Sequence, residues 1–228
     1  MQIQKCALVL EGGGMRGSFT AGVIDYFLKN EIYFEHVIGV SAGANNGANY
    51  TSRQRIRNKK IFTELVEDER YMGFKNLLKD GNYFGMDFLF HQLPHEILPF
   101  DYQSFKNSNT SLKVAVTECE SGEVKYFSPQ KFESISKIDK IFKASSSLPL
   151  VSNPVEIDGK LYLDGGIRDS IPVEKAVDDG YEKLVVILTR EKGYKKSPVK
   201  AKFLLDVFLR EYPNLVDDLK ERYQVYNE

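Results

Sequence analysis

Tryptophan is absent from this 228-residue chain, cysteine occurs only twice and histidine only three times. Each scarcity excludes something. Cys6 and Cys119 lack the close spacing of a metal knuckle or a redox pair, so both thiols read as buried or inert. No apolar run approaches the ~18 residues of a membrane span. The apolar stretch "CALVL" near the N-terminus is too short for a signal-peptide core and passes directly into a glycine turn. The expected compartment is therefore the cytoplasm, with peripheral membrane contact left open. An excess of one charge is missing too. Thirty-one Lys plus Arg against 32 Asp plus Glu leave a formal net charge of -1, so no nucleic-acid partner is expected.

What is present suffices for one substantial core. A chain of this length with 42% hydrophobic residues fits a single α/β domain. "CALVL" is apolar without alternation, which suits a strand buried on both faces, and "GSFTAGVIDYFLKN" then takes helical spacing through Phe19, Val23, Tyr26 and Phe27. "HVIGV" followed by "AGANNGANYTSRQ" repeats the strand-to-helix pattern. "LKVAVTE" and "KLVVILT" add further interior strands, the second after the helical "PVEKAVDDG". Strands alternating with helices predict a mainly parallel central sheet covered on both faces, an α/β/α arrangement of three layers. In "VEIDGKLYLDGG" the pair Asp158-Gly159 reads as a tight hairpin turn that leaves Asp164 at the end of a strand. The tail from Ala201 carries Phe203, Leu204, Val207, Phe208, Leu215, Val216 and Leu219 at helical intervals, with Pro213 separating two helices. The chain stops at Glu228 without a clear cap, which leaves a longer natural chain open.

Three short motifs carry chemistry. "GVSAG", Gly39 to Gly43, matches a nucleophile elbow: the serine occupies a sharp strand-to-helix turn, and small neighbours tolerate the crowded backbone. The bland alternative is that Ser41 caps the helix and Gly39 and Gly43 permit close packing. "EGGGMRG", Glu11 to Gly17, has two uses. Gly12, Gly14 and Gly17 fit a dinucleotide-binding turn, which also requires an acidic residue at the end of the next strand; that strand ends in Ser41-Ala42-Gly43, and Glu35 precedes it. Alternatively the loop presents backbone N–H groups to an oxygen that becomes negative during acyl transfer. Arg16 adds positive charge there, or else is a solvated residue or a partner of Glu11.

A serine nucleophile needs a proton acceptor, and the usual order Ser, acid, His is missing, because His36, His91 and His95 all precede Asp164. In "HQLPH" the two histidines are four apart, but Pro94 disrupts a helix and no third ligand stands nearby, so no metal site is expected. A carboxylate can accept the proton directly. "LDGG" offers Asp164, with Gly165 and Gly166 leaving room for another backbone turn, and partial desolvation there would raise its pKa from ~3.9. Asp-Gly also occurs at Asp80, Asp158 and Asp179, where it reads as a plain turn.

Together the glycine loop, the elbow and the later D-G-G, in this order, resemble the patatin-like phospholipase family, as does the small-residue and proline stretch "KASSSLPLV" between elbow and aspartate. The resemblance runs from about Ala7 to Thr189. It implies a hydrolase domain over 5–190 with a C-terminal helical extension over 191–228. It also implies Ser41 as nucleophile, Asp164 as its dyad partner, and an oxyanion site made by the backbone of Gly12, Gly13 and Gly14 with Arg16, supported by Gly17, Gly39, Gly43, Gly165 and Gly166. The implied substrates are fatty-acyl esters of phospholipid, lysophospholipid or neutral glyceride, and no cofactor or metal is implied. "MGFKNLL" and "GNYFGMDFLFHQLPHEILPF" suit a mobile cover over an acyl pocket or, equally, part of the core. The basic clusters 53–60 and 191–202 suit anionic lipid headgroups or a solvated face. A dinucleotide-binding oxidoreductase using Gly12 to Gly17 and a non-catalytic lipid-binding protein stand as the rival readings.

Overall fold

The computed structural model describes residues 3–199 and 202–228. Among these, seven strands form one sheet: β1 (Ile3–Leu10), β2 (Tyr33–Val40), β3 (Ser111–Glu118), β4 (Val124–Phe127), β5 (Val155–Ile157), β6 (Lys160–Asp164) and β7 (Leu184–Ile187). β7, β1, β2 and β3 are parallel neighbours, while β4 and β6 pair with β3, and β5 with β6, in antiparallel fashion. The α-helices are α1 (Gly17–Lys29), α2 (Ala42–Thr51), α3 (Arg55–Thr63), α4 (Phe74–Asp80), α5 (Tyr102–Lys106), α6 (Ile135–Ser145), α7 (Val173–Asp178), α8 (Lys202–Phe208) and α9 (Pro213–Asn227). Leu8, Leu10 and Val37 point into a core with Ala44 of α2 and Ile138 and Ile141 of α6, whereas Ala7, Val9 and Ile38 meet Ala176 of α7 on the opposite face. This alternation over a sheet buried on both sides is the mainly parallel α/β/α architecture that the strand and helix pattern predicts, with an antiparallel margin.

The pairing of β3 positions everything else. Val114 and Ala115 pair with β2 and with β4, while Val116 and Thr117 pair with β4 and with β6. A strand has two edges, so β4 holds one edge while β2 and β6 follow each other along the other. β2 runs parallel to β3 and ends with Val40 beside Ala115; β6 runs antiparallel and ends with Asp164 beside Val116. The two strands thus meet head to head, and the residues at the junction are Ser41 and Asp164.

Several local expectations need correction. The buried face of α1 is Gly17, Thr20, Ala21, Ile24 and Leu28, while Phe19 and Tyr26 are exposed. Small residues let α1 lie close to α2, since a Cβ at Gly17 would stand 2.9 Å from the Ala42 Cβ. β7 is an edge strand, with Val186 and the following Leu188 exposed, instead of an interior one. Pro94 does not break the helical path: it sits inside a π-helical run, Phe88–Ile97, whose wider turn accommodates a residue without an N–H. In the tail, Leu205, Leu209, Leu215, Val216 and Leu219 are buried against Cys119, Leu163 and Ile167, whereas Phe203 and Val207 are exposed. Lys200 and Ala201, and the side chains of Leu204 and Phe208, lie outside the described residues. The hairpin at Asp158-Gly159 is as expected, with φ of 52° and 78°.

Candidate active site

Ser41 sits at φ 55°, ψ −126°, a conformation that a side chain adopts only under constraint. The constraint is visible in its neighbours. A Cβ at Gly43 would lie 2.4 Å from the Leu10 carbonyl oxygen, and one at Gly39 would lie 2.7 Å from the Ala44 backbone. The glycines on either side are therefore required by contact. The hydroxyl makes no capping bond to α2, so the helix-cap reading of Ser41 is set aside. Instead the Ser41 N–H donates to the Ser145 hydroxyl at 2.9 Å, and Ser145 donates to the Ala115 carbonyl at 2.8 Å. Ser145 thus closes the gap at the junction where β2 stops.

The adjoining serines complete the bracket. Ser146 Oγ accepts from Asn45 Nδ2 at 2.9 Å, and the same amide donates to the Ser41 carbonyl at 3.1 Å. The Asp164 N–H donates to the Ser147 carbonyl at 2.8 Å. One stretch, "SSS", therefore holds both Ser41 and Asp164, a role that the sequence shows only as a run of small residues.

Asp164 is 1% exposed and Ser41 8%. The Asp164 Oδ1 accepts from the Gly166 N–H at 2.8 Å, while Oδ2 has no hydrogen-bond partner of full geometry among the described residues. Burial raises the Asp164 pKa; the Ser41 hydroxyl beside it, the Gly166 N–H and the charge of Arg222 work against that rise. Gly165 allows the approach, because a Cβ there would stand 2.5 Å from the Ala115 backbone. A Cβ at Gly166 would lie 3.1 Å from Asp164 Oδ1 and 3.3 Å from Arg222 Nη2.

Arg222, on α9, carries no motif signal. Its Nη2 donates to Ser170 Oγ at 3.3 Å, Ser170 donates to the Gly166 carbonyl at 2.9 Å, and burial lowers the guanidinium pKa while Asp164 raises it. Helical spacing could place the tail on the fold, but only the packing of α9 reveals which residue reaches the aspartate.

The glycine loop differs from expectation in part. The Gly12 N–H donates to the Ser170 carbonyl at 3.4 Å, so it is already engaged, and a Cβ there would stand 3.3 Å from the Ser41 Cβ. The N–H groups of Gly13 and Gly14 make no hydrogen bond among the described residues. Gly14, at φ 54°, lines the same pocket as Ser41, and Gly13 lies against Thr189. The side chain of Arg16 is exposed and does not pair with Glu11, which accepts from Tyr226 at 2.7 Å and from the Thr189 N–H. Glu35 is exposed near the start of β2, about 20 Å of strand from the loop, so it cannot serve a ligand bound there.

The histidines stand elsewhere. His36 bonds Ser111 at 2.6 Å and Asp179 at 3.2 Å at the far end of β2, and His95 pairs with Asp139 at 2.8 Å. The 53–60 cluster is not one solvated face: Arg53 lies 4.0 Å over the Tyr33 ring, and Arg57 turns inward, its pKa pushed down to about 10 by burial. In the second cluster Lys196 is likewise lowered to about 8 by burial, 4.4 Å over the Tyr226 ring. Among the described residues no helix is long and apolar enough to cross a membrane. From Ser41 a pocket runs along α2 beneath the 71–94 segment, with Tyr71, Phe84, Met86, Leu89, Phe90 and Leu93 among its apolar walls.

This chain belongs to the patatin-like phospholipase family, whose model matches residues 8–177. It is 32% identical over 189 residues to "Uncharacterized protein YjjU" of Escherichia coli (strain K12), covering 81% of this chain and 52% of that protein. It is 21% identical over 187 residues to "Probable lipid hydrolase 463L" of Invertebrate iridescent virus 6, covering 75% and 62%. The chain thus spans between about half and two thirds of the curated relatives it matches. Its fold is similar to the crystal structure of VipD from Legionella pneumophila, with a TM-score of 0.54 at 16% identity, covering 79% of this chain and 49% of that one.

Proposed function

We propose that this protein is a serine acyl hydrolase that cleaves fatty-acyl esters of phospholipids, lysophospholipids or related glycerides through a Ser41–Asp164 dyad. The observation that carries the reading is the head-to-head meeting of β2 and β6, where a strained serine that lines a mainly apolar pocket stands at the same junction as a buried, underpaired carboxylate. Family membership and the name of the viral relative, a probable lipid hydrolase, support lipid esters as the substrate class.

In the proposed reaction the Ser41 Oγ attacks the ester carbonyl while its proton passes to Asp164. Burial makes Asp164 a stronger base than an exposed aspartate once it is ionised. The uncommitted N–H groups of Gly13 and Gly14 and the N–H of Ala42 at the start of α2 receive the oxyanion, with Arg16 adding positive field. Collapse of the tetrahedral intermediate expels the alcohol, which takes the proton from Asp164, and leaves an acyl-Ser41 ester. Water, deprotonated by Asp164, then releases the fatty acid and regenerates the serine. Neither a histidine nor a cofactor enters any step. The catalytic unit we propose includes α9, since Arg222 favours the ionised aspartate. A lipid-ester panel run with wild type and Ser41→Ala tests the reading: turnover that survives Ser41→Ala undiminished overturns it.

A further inference from the structure

The pocket lined by Ser41 is not apolar throughout. Most of its lining side chains are apolar, but α2 contributes Asn45, Asn46 and Asn49 and α3 adds Arg57 and Asn58. Asn49 lies eight residues beyond Ser41, about 12 Å along the helix. There a chain of hydrogen bonds runs from charge to amide: Arg57 Nη1 donates to Asn49 Oδ1 at 2.9 Å, and Asn49 Nδ2 donates to Asn58 Oδ1. Arg57 Nε donates to the Leu98 carbonyl at 3.1 Å, and the guanidinium lies 5.3 Å from the Phe100 ring.

Two donors are left over. Asn58, a pocket-lining residue, is 2% exposed, and its buried Nδ2, polarised by that chain, has no partner among the described residues. Arg57 Nη2 likewise makes no hydrogen bond, and no carboxylate lies within ion-pair distance of the guanidinium, among the described residues. The carboxylate nearest in effect, Asp139, is occupied by His95 at 2.8 Å and Tyr102 at 2.5 Å. Asp139 and Tyr102, already bonded to each other, also line the pocket, so the donors without an acceptor there are Asn58 Nδ2, which is buried, and Arg57 Nη2 on a half-buried side chain; a buried donor left facing a methyl group is costly.

We propose that the wall of this pocket about 12 Å along α2 from Ser41 recognises an oxygen at the far end of the bound acyl chain, through Arg57 and Asn58, so that the preferred acyl group is of medium length and ends in a hydroxyl or carboxyl. Turnover of such acyl groups rests on the hydrolase reading above; their binding does not.

Two measurements separate the two. In the first, p-nitrophenyl esters of one chain length, ending in methyl, hydroxyl or carboxyl, are compared by kcat/KM in wild type, Arg57→Met and Asn58→Asp. An oxygen-ended ester should exceed the methyl-ended one by about tenfold, the worth of one hydrogen bond to a charged or polarised donor. Both substitutions should bring that ratio toward one. In the second, Ser41→Ala protein is titrated calorimetrically with a plain fatty acid and with its hydroxyl- and carboxyl-ended counterparts. A tenfold affinity advantage for either oxygen-ended acid supports the site even if no ester is turned over, in which case only the hydrolase reading fails. Equal or better binding and turnover of the methyl-ended chain in wild type overturns the inference and leaves that reading standing. Should Arg57→Met fail to fold, Asn58→Asp, which keeps the shape and loses the donor, and the wild-type ratio decide.

Discussion

Asp164 and Asp179 are both followed by glycine, both partly or wholly withdrawn from water, and stand at opposite ends of the same strands. Asp179 receives Lys113 and Lys175 at 2.6 Å and His36 at 3.2 Å. Burial alone would raise its pKa, but the hydrogen bonds and charges of the two lysines overcome that and hold it below the usual range. Asp164 is more deeply buried, has one backbone N–H on Oδ1 and nothing of full geometry on Oδ2, and its pKa is raised. The contrast shows that two charged partners outweigh burial at Asp179, whereas at Asp164 burial prevails over a single backbone N–H, the Ser41 hydroxyl and a more distant guanidinium.

The largest effect belongs to Ser41→Ala, which under the dyad account lowers ester turnover by roughly four orders of magnitude without altering the circular dichroism spectrum. Next is Gly43→Ala. Its Cβ would meet the Leu10 carbonyl at 2.4 Å, so the elbow must shift, and denaturant titration should show a loss of about 3 kcal/mol or more.

The two aspartates should then respond with opposite sign to the same substitution. A depressed pKa means that Asp179 contributes stability above its unfolded value, which is lost as pH falls through the folded one. Asp179→Asn should therefore cost about 2 kcal/mol at neutral pH and leave Ser41 reactivity in place. A raised pKa means the reverse for Asp164: stability is fullest below the unfolded value and is lost as pH rises through the folded one. Asp164→Asn should thus stabilise the fold at neutral pH by about 1 kcal/mol, seen as a higher thermal midpoint, while removing turnover. Both are read by paired thermal melts. The smallest effect is that of Arg222→Gln. Without the guanidinium the Asp164 pKa rises further, so the acid limb of the kcat/KM profile should move to higher pH with little change on the plateau.

Much of this was legible in the residues alone. The buried strands, the two strand-to-helix units and the hairpin that carries Asp164 follow from apolar runs and turn residues. The edge position of β7 was not legible, because "LVVI" is as apolar as an interior strand and the sheet order is set by long-range pairing. Nor was the face of α1: Phe19 and Tyr26 outrank Ala21 in hydrophobicity, but close helix contact at Gly17 selects the small residues. At the site, Ser41, Asp164 and the glycines stand out as motifs. Ser145, Ser170 and Arg222 do not, since a lone hydroxyl or arginine acquires its role only from what the fold sets against it. The engaged Gly12 N–H is of the same kind: its acceptor is a carbonyl 158 residues away in the chain, well beyond any local pattern.

The most direct test is the rate at which a fluorophosphonate probe bonds to the chain, followed by intact mass and peptide mapping in wild type and Asp164→Asn. The account predicts a single adduct on Ser41 in wild type and a rate at least about 100-fold slower in the variant, because the hydroxyl then lacks its proton acceptor. Equal rates in the two proteins, or an adduct on any other residue, would contradict it.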